Sequence, residues 1–361
     1  MIKPAGHAAA APAPAEIEPG QLSCYTAALA RYLQGRCPDP LAHVARSVRL
    51  AVHPGLPGGL IAFSHHWLAL NELADGSRLV YRGAADPAAV PDGLDAELRT
   101  GPGALAVTYT GSMAWSPADS GASAPHFLLV REHHGRRWHV EDPFQALLPG
   151  GSQEPFTGWL STAELTEAMT PPSPLRPELR LRKEYAFGFP VPLPPDDHYQ
   201  WLGPAAVPDP AAVPYPATAL PPGWLTEPAQ ALRFLRDLWT ATAGPDHQDL
   251  ARERTFDDIW ASARHHAFRY AHLRRLLPDP ADQELVSAVH DRWHDLPMAL
   301  HFATASAARG HERPALIKMT FDQLIEAETQ VAGLLRAHGY GPRDGPLTYH
   351  SGQQAQKEAH P

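Results

Sequence analysis

The stretch "HFLLVREHHGRRWHVEDPF", residues 126–144, decides how the first half of this chain is read. An apolar run leads to a turn around His134-Gly135, and a second run follows, the pattern of a β-hairpin. His126 opens the first strand and Asp142-Pro143 closes the second. The two ends of a hairpin are neighbours, so Asp142 can hold the His126 ring in one tautomer if a nucleophile exists elsewhere. The plainer readings are that Asp142 before a proline forms a turn, and that His126 is one of 21 histidines.

The nucleophile candidate is Cys24. "QLSCYTAALARYLQG", 21–35, reads as a helix: Ser23 can cap it, Ala27, Ala28, Leu29, Tyr32 and Leu33 suit a buried face, and Gly35 can end it. Cys24 falls in the first turn, where backbone N–H groups and the macrodipole favour the thiolate, the reactive form. A cysteine at a helix start is more often a small buried residue. Order, spacing and strand placement together are what make Cys24, His126 and Asp142 a thiol acyl-transfer triad. Cys37, in "GRCPDP", stands before a proline and away from a helix start. His65 and His66 could serve as base, but no following strand ends in a carboxylate.

Further strands are expected at "LIAFS" (60–64), "SRLVYRG" (77–83) and "GALAVTYTG" (103–111), each bounded by Gly, Pro or Asp. Residues 40–51 read as a short helix or a helix-to-strand transition, and 86–101 as a turn plus short helix. "STAELTEAM" carries a capping box, Ser161 with Glu164. "RLRKEYAFGF", 180–189, is compatible with one more strand. From Pro190 to Pro228, 12 of 39 residues are proline, which predicts an extended connector along a surface. Beyond it the period turns helical, in four runs: one from Thr226, a second opened by Thr255 and Asp258, a third with a break or kink at Pro297, and a fourth stopped by Gly339.

The expected architecture is α+β: a disordered arm over 1–19, a cysteine-bearing domain with an N-terminal helix and an antiparallel sheet over 20–190, a connector over 191–225, an all-α domain over 226–340, and a disordered tail over 341–361. A formal charge of −9 argues against a nucleic-acid partner. Two cysteines cannot form a disulfide framework or a four-cysteine zinc site, which favours a reducing compartment. No apolar run approaches 18 residues, and the Ala/Pro-rich start makes a poor signal peptide, so the expected location is the cytoplasm with no membrane span. His290 and His294 lie four apart on one helix face and could bind zinc, but a polar face in a histidine-rich chain is the plainer account, and no metal is expected. Trp239, Trp260, Tyr270 and Trp293 sit at helical spacing and are read as core.

"SCYTAALARYL" followed by the 126–144 hairpin resembles the papain-like cysteine acyltransferase/peptidase superfamily in its bacterial form. The closing Asp-Pro is similar to the peptidase domains of bacteriocin-processing exporters. The layout with a long C-terminal extension is similar to butirosin biosynthesis protein H and its relatives. The resemblance covers about residues 20–190 and implies a papain-like fold, with Cys24 as nucleophile, His126 as base and Asp142 as orienting residue. It further implies that the cysteine takes an acyl group from a carrier-protein thioester and passes it to an amine acceptor, as in specialised-metabolite biosynthesis. No cofactor of the chain's own is implied, because the phosphopantetheine arm belongs to the carrier protein. Papain-like enzymes usually carry a glutamine six residues before the cysteine and a glycine after it. Here those positions are Glu18 and Tyr25, which leaves Gln21 as the oxyanion candidate.

Three functions follow as expectations: an acyltransferase acting through a Cys24 acyl-enzyme; a cysteine hydrolase, peptidase or thioesterase, that releases the acyl group to water; and a non-catalytic shell that binds a carrier protein or peptide. In the first, the helical domain would wall the acyl or acceptor pocket. The basic spots "LRLRKEY" and "REHHGRR" are where an acidic carrier protein could dock on an acidic chain.

Overall fold

The computed structural model describes residues 22–117, 123–148, 151–205, 220–241 and 247–341. The arm over 1–19, Gln21 and the tail from 342 onward lie outside the described residues.

Helix α1 (Cys24–Leu33) starts where Ser23 accepts the N–H of Thr26, and α2 (Pro40–Ser47) starts at Asp39 with Pro40 in its first turn. The α2 run passes directly into β1 (Val48–Leu56), which turns through Pro57–Gly59 into β2 (Leu60–His66) to form a separate two-stranded hairpin. Then come β3 (Arg78–Ala84), α3 (Val90–Thr100), β4 (Ala104–Tyr109), β5 (Pro125–His134) and β6 (Arg137–Asp142). A small pair, β7 (Ala146–Leu148) and β8 (Gly151–Gln153), precedes β9 (Phe156–Ser161), and α4 (Thr162–Ala168) opens on the expected Ser161–Glu164 capping box. Next are α5 (Pro177–Glu184) and β10 (Tyr199–Ala205). Four helices complete the described chain: α6 (Pro228–Thr240), α7 (His247–Arg274), α8 (Pro280–Ala307) and α9 (Pro314–Ala337).

The main sheet has six strands in the order β3-β10-β4-β5-β6-β9, every pair antiparallel. Its residues alternate between two cores, as the period of two requires. Leu105, Val107 and Tyr109 of β4, with Phe127 and Leu129 of β5, join a large core shared with α1 and the C-terminal helices. Ala104, Ala106, Leu128, Val130 and Val140 face a smaller core closed by Leu94 of α3 and Leu165 of α4. The fold is thus mixed α+β with a helical C-terminal region, as expected. Among the described residues no helix is long and apolar enough to cross a membrane.

Three elements differ from the sequence reading. The 180–189 run is not a strand: α5 occupies its first half, begun by Pro177 and ended by the basic residues Arg182 and Lys183. The proline-rich stretch contains β10, an interior strand that pairs with β3 over seven residues, its ladder placed between prolines rather than at them except at Pro204. Finally, α7 does not begin at Thr255. That residue is buried inside the helix, where its hydroxyl accepts the indole N–H of Trp239 at 3.3 Å. The α8 helix runs through Pro297 as one element.

Candidate active site

The 126–144 hairpin turns at Gly135, which takes φ +63°, and its strands pair His134 with Arg137 and Glu132 with His139. If that register continued, Asp142 would stand opposite Leu129 and project to the face away from His126. It does not continue. A register shift between Val130 and Glu132 leaves Arg131 as the extra residue, after which Val130 pairs with Val140 and Leu129 with Glu141. By extension Asp142 stands opposite Leu128, on the same face as His126 and diagonal to it. The bulge is what turns two hairpin ends into a contacting pair. The Arg131 side chain holds the displaced segment, donating to Glu141 at 3.0 Å and to the Pro102 carbonyl at 3.3 Å.

Both side chains are buried, and His126 Nε2 lies 3.0 Å from Asp142 Oδ2. The ring N–H points off that line, so this is a close charge contact more than a straight hydrogen bond. Asp142 is otherwise well supplied. Trp115 donates its indole N–H at 2.8 Å and Gln153 its amide at 3.2 Å, both to Oδ2, while the Phe144 N–H reaches Oδ1 at 3.1 Å. Burial alone would raise the Asp142 carboxyl, but His126, Trp115 and the Phe144 N–H hold it below its ordinary value. Burial would lower His126, yet Asp142 and the Cys24 sulfur outweigh it and raise the imidazole well above its ordinary value. The Phe144 ring stands T-shaped to the imidazole, with centroids 5.5 Å apart.

Cys24 occupies the first position of α1, partly exposed, and its sulfur is one of the two groups that raise the His126 imidazole. Since Nε2 faces Asp142, Nδ1 is the nitrogen left for the sulfur. The structure thus brings together the three residues named from the sequence: a partly buried cysteine, a buried imidazole and a buried carboxylate. The oxyanion candidate Gln21 lies outside the described residues. The N–H of Cys24, at the first helical position, has no acceptor within the helix.

Residues from the helical region also reach this site, and nothing local in the sequence marked them. Arg264 of α7 donates Nε to the Leu22 carbonyl at 3.2 Å and Nη2 to the Gln145 carbonyl at 2.7 Å. Its guanidinium lies over Trp260 at 4.3 Å and Phe144 at 5.4 Å. Burial lowers it to about 10, opposed by the Cys24 sulfur, so it stays charged near neutral pH. Next to it, His265 Nε2 accepts the Ser23 N–H at 3.2 Å and lies 3.1 Å from the Ser23 hydroxyl. Burial first, then His66, His65 and Arg264, hold His265 well below its ordinary value, so Nε2 remains an acceptor. Trp260, read as core from its spacing, is partly exposed beside the site, whereas Trp239, Tyr270 and Trp293 are buried core.

The competing candidates are placed elsewhere. Burial raises the Cys37 thiol, which sits past the other end of α1. His66 packs behind the first turn of α1, with Nε2 3.3 Å from the Thr26 hydroxyl, and His65 contacts Ser262 of α7 at 3.0 Å. His290 and His294 each contact the adjacent aspartate, and among the described residues no three His, Cys, Asp or Glu side chains are grouped to hold a metal ion. Of the basic spots, "LRLRKEY" is largely committed: Arg182 pairs with Asp257 and Asp258, and Lys183 is buried.

No family model matches this chain, and no curated protein matches it in sequence.

Proposed function

We propose that this chain is a papain-like, cysteine-dependent acyltransferase that moves an acyl or aminoacyl group from a carrier-protein thioester to an amine. The observation that carries the reading is the buried His126 ring paired with the buried Asp142 carboxylate and raised by the sulfur of the partly buried Cys24. The His126 imidazole, raised by Asp142 and the Cys24 sulfur, is placed to hold the proton that the thiol gives up. The Cys24 thiolate attacks the thioester carbonyl and forms a new carbon–sulfur bond. The negative charge on the carbonyl oxygen is met by the Cys24 N–H. Collapse of that intermediate breaks the bond to the carrier sulfur, which leaves with the proton of His126. An amine then attacks the acyl-enzyme, His126 takes its proton, and the Cys24–acyl bond breaks to restore the ion pair. Asp142 keeps the ring aimed throughout. The pantetheine arm is the partner's, and the chain's own residues supply nucleophile, base and orientation.

Intact-mass spectrometry after incubation with acylated carrier proteins tests this. The expected result is one acyl mass on the wild type, absent in Cys24→Ala, and discharged to an amide when a primary amine is added. Discharge only to free acid would make the protein a hydrolase. A stable complex without any acyl adduct would make it a binding protein.

A further inference from the structure

Three features outside the triad invite a role. The exposed apolar residues Met298, Phe302 and Met319 mark α8 and α9, but nothing in the structure says what covers them. Lys183 is wholly buried, with Nζ donating to Gln200 at 3.0 Å, and is closed to any reagent. The third is the Arg264–His265 pair of α7, and its geometry bears on the site directly.

Cys24 and His126 come from different elements, a helix and a strand, about a hundred residues apart in sequence. Their separation must be held to a fraction of an ångström for proton and acyl transfer to proceed. One guanidinium spans the two arms. Nε grips the carbonyl of Leu22, two residues before the nucleophile, and Nη2 grips that of Gln145, three residues after the carboxylate. The guanidinium lies over Trp260 of its own helix and over Phe144, whose ring stands T-shaped to His126. The next residue, His265, fixes Ser23, the cap of the nucleophile helix.

We propose that Arg264 is a positioning residue that sets the spacing of Cys24 and His126, so that the helical region is part of the reactive site and not merely its wall. This inference rests on the acyltransferase reading. A lysine cannot replace the fork, because an ammonium is a point charge without two planar donors at fixed spacing.

The test uses the full chain with Arg264→Lys and Arg264→Met. Two quantities are read: the rate of Cys24 modification by iodoacetamide, followed by peptide mapping, and the titration of the His126 ring by NMR. The groups facing that ring are Cys24 from α1, Asp142 from β6, Phe144 after it, and Arg264 close by. Loss of the fork is expected to slow Cys24 modification about tenfold or more and to move the His126 titration down, as the sulfur drifts from the ring. Arg264→Lys should fall between wild type and Arg264→Met. A purely structural role would lower the melting temperature and leave both readings of the folded protein unchanged, and that result overturns the proposal. If Arg264→Met does not fold, Arg264→Lys decides: wild-type values for both readings reject positioning. His126→Ala separates the two ideas. If it leaves Cys24 modification unchanged, the triad reading fails; if it slows modification while the Arg264 variants do not, positioning alone fails.

Discussion

Two buried carboxylates in this protein, Asp142 in the sheet and Glu328 in the helical region, are held by similar sets of donors. Glu328 Oε1 accepts from Trp293 at 2.6 Å, Tyr270 at 2.7 Å and Arg269 at 3.2 Å. Asp142 accepts from Trp115, Gln153 and the Phe144 N–H, and faces His126. The difference lies in the cation. Arginine never gives up its proton, and Arg269 also donates to the Val48 carbonyl, so that cluster ties α7 and α9 to β1 and is closed on every side. Histidine can lose and regain a proton, and its second nitrogen faces a partly exposed thiol. Burial and charge pairing alone do not mark a reactive site. On the proposed function, what marks one is a proton that can move, with one side open.

The largest loss is expected at Asp142. Asp142→Asn should cut Cys24-dependent acyl transfer by about 10²–10⁴-fold, measured by steady-state kinetics with an acyl thioester. The same variant should change the pH dependence of stability. His126 is raised in the fold, so its contribution is complete below its unfolded value of about 6.5 and is lost as pH rises through the raised value. Asp142 is lowered, so its contribution is complete above its unfolded value of about 3.9 and is lost as pH falls through the lowered value. Thermal melts across pH should show both limbs in wild type, and Asp142→Asn should remove the acid limb and shrink the alkaline one.

Inserting one residue between Val140 and Glu141 is expected to be nearly as damaging to activity, because it carries Asp142 to the opposite face, and NMR should find the His126 ring titrating lower. At Glu328 the outcome inverts. Glu328→Ala strands a buried arginine and should cost about 3–5 kcal/mol in chemical denaturation, while Cys24 in the folded fraction reacts at the wild-type rate. Trp115→Phe removes one of several donors to Asp142, so the loss in acyl transfer should be smaller, about tenfold. Smallest is Ser161→Ala, which removes the α4 cap and should cost about 0.5–2 kcal/mol with no change at the site.

Much of this was legible from sequence because it is local. A capping serine before Cys24, a hairpin signal at Gly135 and a capping box at Ser161 each report on a few adjacent residues. The apolar runs of β4 and β5, bounded by Gly and Pro, likewise declared strands. What stayed hidden depends on distance. The bulge at Arg131 breaks no hydrophobic pattern that a reader could see, yet it decides which face Asp142 occupies. Trp115 and Gln153 reach Asp142 across loops. Arg264 and His265 sit on a helix whose own period says only that some neighbours are buried. Prolines concealed β10, since a stretch rich in them discourages a strand assignment even where the ladder runs between them.

Whether Cys24, His126 and Asp142 act as one unit is tested most directly by combining variants. Acylation rates of Cys24 would be measured for His126→Ala, Asp142→Asn and the two combined. If Asp142 acts only through the ring, the combined variant will be no slower than His126→Ala alone. Losses that multiply, or a His126→Ala protein that acylates at the wild-type rate, would contradict it.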